Sequence, residues 1–465
     1  MRSYLEAFLD APRRRVRERD AMQDRPNFVG ATYRRGDSGY EPARRATCRN
    51  MRLPDRYPDM IVQASTEQDV VAAIRLANAN GWPVGVRSGG HSWSCNHVHD
   101  GGMLLDVSSL NAVTIDRQAM RASVGPGCRG NDLDPLLAAQ KLFFPVGHCQ
   151  GVGLGGYLLQ GGFGWHGRAL GPACENVLAV DYVGADGELR HASPSENADV
   201  YWAARGAGPG FFGIVTRFHL QLHPRPKVIG GKFAVYRAEH FEALASWMHQ
   251  VGPEVPASIE LMLILSRNVP FIDGPGVMVV APVFADSLRA AWRDLSFMRS
   301  RPRGAKLVTP FVPTRLSTMT ARVMHHYPDQ HHYAVDNMWT HASFDELRPG
   351  LARIAETLPP APSHMLWMNW APKAKRQDMA YSMEDDIYIA LYGIWEDGAG
   401  EPAASTWAVN RMKEMAPLAK GVQLADENLA ERAAPFMAAA NLTRLDQLRA
   451  AHDPSGRFHH YGGRP

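Results

Sequence analysis

Two reactive side chains lie inside two glycine-rich stretches. "VRSGGHSW", residues 86–93, carries His91, and "GHCQGVGLGGYLLQGGFG", residues 147–164, carries Cys149. An imidazole nitrogen and a thiolate are nucleophiles that can add to an electrophilic ring system. Taken singly, a histidine is more often a hydrogen-bonded structural group, and a cysteine more often a small buried hydrophobe. Their joint placement in two such loops points to chemistry instead. Dense glycine lets backbone N–H groups approach a ligand closely and form concave nests for anionic oxygens, with no lysine needed. Ser88, Gly89, Gly90, His91 and Ser92 would present successive amides in the first loop. The two loops together imply one large phosphorylated cofactor between them.

Gly151, Gly153 and Gly156 also spell G-x-G-x-x-G, the spacing of a Rossmann phosphate loop. That fingerprint requires a helix of ten or more residues directly after the glycines. Here the chain continues "YLLQGGFGWHGRALGPACE", and no continuous helix of that length survives Gly161, Gly162, Gly164, Gly167, Gly171 and Pro172. Glu175 stands near the offset of a ribose-binding acid, but without a βαβ frame the offset carries no meaning. The Rossmann reading is rejected.

The elements that must position these loops follow from hydrophobic periodicity. "STEQDVVAAIRLANANGWPVGVRSGGHSW" reads as helix, turn, strand and loop. Ser65 or Thr66 caps, Val70, Val71, Ile74, Leu76 and Ala77 form an apolar stripe, and Gly81 stops the helix. "MLLDVSSL" is a further strand, and "LAVDYVGADGELRHA" a hairpin about "ADG". From about residue 229 to 420 helical stretches such as "AEHFEALASWMHQV" alternate with strands such as "IELMLILS", "GVMVVAPVFA" and "DDIYIALYGIW", an α+β pattern with an antiparallel sheet. "LTRLDQLRAAHDPSGRF" reads as a last helix ending at Asp-Pro.

With 465 residues, two domains or one large domain with an insertion are expected. Hydrophobic residues at 45% and charged residues at 21% are ordinary for a globular protein. No apolar run reaches the roughly 20 residues of a membrane span, so no membrane partner is expected. The N-terminal stretch has arginines but no apolar core of a secretory leader, which reads as cytoplasmic. The five cysteines, Cys48, Cys95, Cys128, Cys149 and Cys174, are scattered without a C-x-x-C pair, which argues against a disulfide scaffold and a zinc site. Net charge is only +3, although the first 57 residues carry 14 arginines against 8 acidic residues. No basic stripe interleaved with aromatics accompanies them, so nucleic acid is not an expected partner and the stretch reads as a solvated arm. Oligomeric state is not legible.

"VRSGGHSW" resembles the R-S-G-G-H-S segment of the berberine bridge enzyme-like branch of the vanillyl-alcohol-oxidase flavoproteins. "GHCQGVGLGGYLLQGGFG" is similar to that family's G-x-C-x-x-V-G-x-G-G…G-G-G-x-G segment. The resemblance extends through "DVSSLNAVTID", "ENADVYWAARGAGPGFFGIVT" and the closing "DPSGRFHHYGG". It implies a two-subdomain PCMH-type FAD-binding domain over 1–228, an inserted substrate domain on an antiparallel sheet with helices over 229–420, and a returning segment over 421–465. It further implies FAD joined to His91 through the flavin 8α-methyl and to Cys149 through flavin C6. Arg87, Ser88, Gly89, Gly90, Ser92 and Trp93 would line the cofactor from the first loop. Val152, Gly153, Gly155, Gly156, Gly162 and Gly164 would do so from the second, with Asn176, Gly213 and Ile214 beyond them.

The chemistry implied is hydride transfer to flavin N5 from an alcohol, sugar, amine or polycyclic natural product, with dioxygen reoxidising the flavin to give hydrogen peroxide. Val152 matches the family position where a small side chain leaves dioxygen access, which favours an oxidase over a dehydrogenase of the same fold. A flavoprotein kept as a non-catalytic binding protein is the third reading, motivated by the missing base, one of three departures from the family. Tyr157 stands where plant members carry a histidine near the flavin N1/C2 carbonyl, Leu391 where they carry a Glu or Gln base, and "GVQLADENLAERAAPFMAAANLTRL" lacks a Y-x-N pattern. Tyr388 and Tyr392, four apart and on one face of a strand, are the expected substitutes for the base, provided a cation or donor lowers a phenol pKa. Tyr157 would take part in stabilising the flavin anion. "HHYPDQHHY", residues 325–333, reads as a loop or pocket wall and no metal is expected. Met262, Met278, Met338, Met365, Met368 and Met383 suggest core packing with some part in an adaptable apolar pocket.

Overall fold

The computed structural model describes residues 27–370, 372, 375–396 and 401–461. The start of the arginine-rich stretch, with the leader reading, falls in residues 1–26 and lies outside the described residues. The helix Glu67–Asn80, which precedes the His91 loop, begins in a capping box. Thr66 Oγ1 accepts from the Asp69 N–H at 3.1 Å and Asp69 accepts from the Thr66 N–H at 3.2 Å. Gly81 ends it in a left-handed conformation, with φ at 66°. Val70, Ala73, Ile74 and Ala77 are buried against a four-stranded sheet in which Met60–Gln63 and Val84–Arg87 both pair parallel to Met103–Asp106. The strand Val84–Arg87 therefore delivers the His91 loop at the carboxyl end of a parallel strand, where ligand crevices form in such sheets.

A second, antiparallel sheet runs in the order Val113–Asp116, Arg121–Val124, Gly213–Gln221, Val177–Gly184, Leu189–Ala192. Its last two strands are the hairpin about "ADG", turned at Gly187. Between the two sheets lies the second glycine loop. Its helix, Leu154–Leu159, is six residues long, as the glycines and proline that follow require.

At Val228 the chain enters an eight-stranded antiparallel sheet. The order is Leu307–Val308, Val228–Arg237, Gly276–Ala285, Met262–Ser266, His364–Asn369, Ile387–Trp395, His332–Thr340, with Val312–Pro313 beside Val228–Arg237. Side chains alternate across it. Leu263, Leu265, Val277, Trp367, Ile389 and Leu391 pack into a core with the helices Phe241–Val251, Phe344–Glu356 and Glu401–Met415, while Met368, Tyr388 and Tyr392 face the other way. Leu391 is thus a core residue on the helix side, and its place in the sequence says nothing about the base. Met338 and Met365 are core residues as well, whereas Met262 and Met368 line the cavity described below.

The segment after Leu418 returns to the first half. Gly421 bridges to Trp339, a short turn spans Leu424–Asp426, and the helix Ala439–His452 packs on Ala198–Ala203. Phe458 then bridges to Val84 beneath the His91 loop. The described part of the arginine-rich stretch is not a solvated arm. Arg44 is buried against Glu41 and two backbone carbonyls, Arg49 bonds Asp329 and the Tyr327 carbonyl, and Arg56 bonds the carbonyls of Ser94 and Cys95. Guanidiniums satisfy several acceptors at once, which suits them to bracing loops.

Candidate active site

One cavity of about 330 Å³ runs from the two glycine loops to the open face of the eight-stranded sheet. Arg87, Ser88, Gly89, Gly90, His91, Ser92 and Trp93 line it from the first loop. Cys149, Val152, Gly153, Gly155, Gly156 and Tyr157 line it from the second, and Gly213 and Ile214 from the antiparallel sheet. Gly162, Gly164 and Asn176 do not. Gly162 and Gly164 lie against the Tyr157 ring, and Asn176 Oδ1 accepts a hydrogen bond from His223 Nε2 at 2.7 Å.

The glycines do two different jobs. A Cβ on Gly89 would stand 2.4 Å from the Gly153 nitrogen, and one on Gly155 2.7 Å from Ser88 Oγ. These positions are therefore fixed by the two loops pressing backbone to backbone, a contact Ser88 tightens by donating to the Pro126 carbonyl at 2.6 Å. A Cβ on Gly156 would meet nothing within 4 Å, so this residue keeps the cavity wall flat for an occupant. Arg87 is ion-paired with Asp106 at 2.9 Å, yet its Nε and the His459 Nε2, both on the cavity wall, are buried with no hydrogen-bond partner among the described residues. Open backbone and orphaned donors on one wall suit a large polar cofactor.

His91 is half-buried, and its desolvation, together with Arg49, Arg129 and Arg87, pushes its pKa down to about 3. It is a neutral imidazole, the form with a ring nitrogen free to bond carbon. Cys149 is different, since burial pushes its thiol up to about 12 and Arg49 is the one nearby group lowering it.

At the far end, the surroundings run against the lowered phenol pKa that a tyrosinate base requires. Tyr388 and Tyr392 do line the cavity, but burial and the charge of Asp426 push both phenols well above their ordinary value. The phenols are donors. Tyr388 donates to Asp426 Oδ2 at 2.5 Å, Tyr392 to the same oxygen at 3.0 Å, and Trp93 Nε1 to Oδ1 at 2.7 Å. Burial raises the pKa of Asp426, opposed by those three hydrogen bonds. Tyr157 is a donor likewise, because its hydroxyl donates to the Pro145 carbonyl at 2.6 Å and is committed to the loop.

Asp426 is the residue that sequence reasoning missed. Asn337, on the strand His332–Thr340, pins its turn by donating to the carbonyls of Gln423 and Asp426 and accepting from the Gln423 N–H at 2.7 Å. Ser94 bonds Glu427 at 2.5 Å and ties the same turn to the His91 loop. A second missed pair is His148, on the cavity wall, bonded at 2.9 Å to the buried Glu260. His326 and Tyr327 form wall, as expected of their stretch, while Asp329 and His331 pair with Arg49 and Glu396 outside it. Glu175, at the ribose offset, is ion-paired to Arg376 at 2.9 Å and takes no part.

Residues 58–193 match the FAD binding domain family model. Over 424 residues the chain is 32% identical to an FAD-linked oxidoreductase of Hypoxylon pulicicidum, covering 90% of this chain and 94% of that protein. The chain belongs to the FAD-linked oxidoreductases. Its fold is shared by the 6-hydroxy-D-nicotine oxidase of Arthrobacter nicotinovorans, with a TM-score of 0.81 at 22% identity over 94% of this chain and 98% of that one. The Physcomitrella patens BBE-like 1 protein has a TM-score of 0.79 at 19% identity over 93% and 96%. The protein is an FAD-dependent oxidoreductase, and the reading as a non-catalytic carrier falls away. Among the described residues no helix is long and apolar enough to cross a membrane.

Proposed function

We propose that this oxidoreductase is an oxidase carrying FAD tethered through His91 and Cys149, acting on a predominantly apolar alcohol or amine and releasing hydrogen peroxide. The observation that carries the reading is Asp426, a half-buried carboxylate on the cavity wall held by two phenols and an indole. FAD, when bound, supplies the two-electron acceptor for a hydride leaving carbon. As the hydride leaves an alcohol its O–H proton must go, and an amine must first lose its ammonium proton; Asp426 takes that proton. Its raised pKa brings the carboxylate closer to the range where a base works best, while three donors fix its orientation and keep the ionised form accessible.

The walls around Asp426 support an apolar substrate. Met262, Ile264, Val323, Leu366 and Met368, with Phe163 and Trp339, offer surface to a ring system and few partners for the hydroxyls of a sugar. A polycyclic natural product with one hydroxyl or amine fits this chemistry. The neutral His91 supports the first tether and the modest bulk of Val152 supports access by dioxygen, while at Cys149 Arg49 offsets only part of the burial that holds the thiol protonated.

The test is anaerobic mixing of the holoenzyme and of Asp426→Asn with a panel of hydroxylated and amine-bearing aromatic compounds, followed by admission of air. Wild type is expected to bleach its flavin and then form peroxide, and Asp426→Asn to bleach slowly. Equal bleaching rates would remove Asp426 as the base. Reduced wild type that ignores air but reacts with a quinone would make the protein a dehydrogenase.

A further inference from the structure

Away from the cavity, three ligand-type side chains converge on the outer face of the five-stranded sheet. Asp181 stands on Val177–Gly184, His191 opposite it on Leu189–Ala192, and His219 on the neighbouring Gly213–Gln221. Asp181 Oδ1 lies 2.7 Å from His191 Nδ1, and Oδ2 3.1 Å from His219 Nε2. All three donor atoms fall within 4.8 Å of one another, the one such group of three among the described residues, and each side chain is half-buried. The far nitrogen of His219, Nδ1, meets Ser123 Oγ at 2.9 Å. None of the four lines the cavity.

We propose that Asp181, His191 and His219 form a site for a divalent transition-metal ion of the zinc class. Two imidazole nitrogens and one carboxylate oxygen are a suitable donor set, and half-burial leaves a further position for water. The donors come from three adjacent strands, so the sheet holds their spacing. Ser123 supplies the outer hydrogen bond that sets a ligating histidine's tautomer and ring orientation. Arg217 is the competing cation, 3.7 Å from Asp181, but it also reaches Glu67 at 4.0 Å and keeps that partner when a metal takes the carboxylate. Spacings of 10 and 28 residues across three strands hide the set from motif reading. The site would brace the strand whose other end, at Gly213 and Ile214, lines the cavity.

The test uses chelator-stripped holoenzyme titrated with Zn²⁺ and Co²⁺ by calorimetry, metal analysis and visible absorption. One ion per chain is expected, with cobalt bands of a low-coordinate centre. Asp181→Asn should lower affinity about 100-fold and Ser123→Ala about 10-fold. Ser123→Ala keeps all three ligands and decides the matter if Asp181→Asn does not fold. Titration without a stoichiometric end point, or affinity unchanged in the folded variants, would overturn the site and leave a histidine–aspartate hydrogen-bond cluster only.

Discussion

The flavin-side wall of the cavity comes from two contiguous stretches, residues 86–93 and 147–164, whereas the facing wall gathers Tyr388, Tyr392 and Asp426, with Trp93 reaching across from the first loop to a carboxylate 333 residues away. The first wall is set by backbone: loops that touch at Gly89 and Gly153 leave no room for side chains, and the residues that do the work are the ones that interrupt the glycines. The second is set by side chains on an alternating strand and by a turn that only the returning C-terminal segment can deliver. Backbone-defined sites write themselves into local sequence. Sites assembled by hydrogen bonds between distant segments do not.

The largest effect is expected on the second wall. Asp426→Asn keeps the shape and removes the proton acceptor, so flavin reduction by a substrate found in the panel should slow about 10²–10⁴-fold with the absorption of bound flavin unchanged. A rate within a few-fold of wild type would move the base elsewhere, His148 first.

On the first wall, Gly89→Ala and Gly156→Ala should separate. The Gly89 Cβ would lie 2.4 Å from the Gly153 nitrogen, so the loops must part, at a cost of about 1–3 kcal/mol that a melting curve of the flavin-free protein reads. Gly156→Ala has open space for its methyl and should melt as wild type while retaining less flavin. Equal flavin retention would mean that the cofactor does not pass over Gly156.

A smaller effect sharpens the role of the phenols. Tyr388 donates to Asp426 and holds its pKa down. In Tyr388→Phe the carboxylate loses that donor, its pKa rises, and the acidic limb of the rate of flavin reduction should move up by about one pH unit, the worth of a hydrogen bond to a charged group. A tyrosinate base would instead lose activity at every pH. The smallest effect is expected at Val152, where Val152→Ile should slow reoxidation by air and leave reduction untouched. A stopped-flow trace of each half-reaction checks it.

The cap at Ser65 or Thr66, the stop at Gly81, the hairpin about "ADG", the rejected Rossmann helix and the strand carrying Tyr388 were all legible, because each depends on neighbours within a few residues. The His91 and Cys149 loops were legible for the same reason. Tyr388 and Tyr392 were placed on the cavity face by period alone, but their protonation was read backwards. The nearest charge is a carboxylate that arrives from a different segment, and it raises a phenol's pKa where a cation would lower it. Asp426 itself sits in "QLADEN" with no periodic or motif signal. Arg44, Arg49 and Arg56 misled in the opposite sense, since charge density in a sequence does not reveal which guanidiniums brace carbonyls inside the fold.

The claim that joins both walls is that one flavin is tethered between the two glycine loops. It is tested most directly by the intact mass of acid-denatured protein followed by peptide mapping. An FAD adduct joining the peptides that contain His91 and Cys149 is the result expected here. Protein that releases all of its flavin on denaturation would contradict the tethered cofactor and leave the loops as a non-covalent cradle.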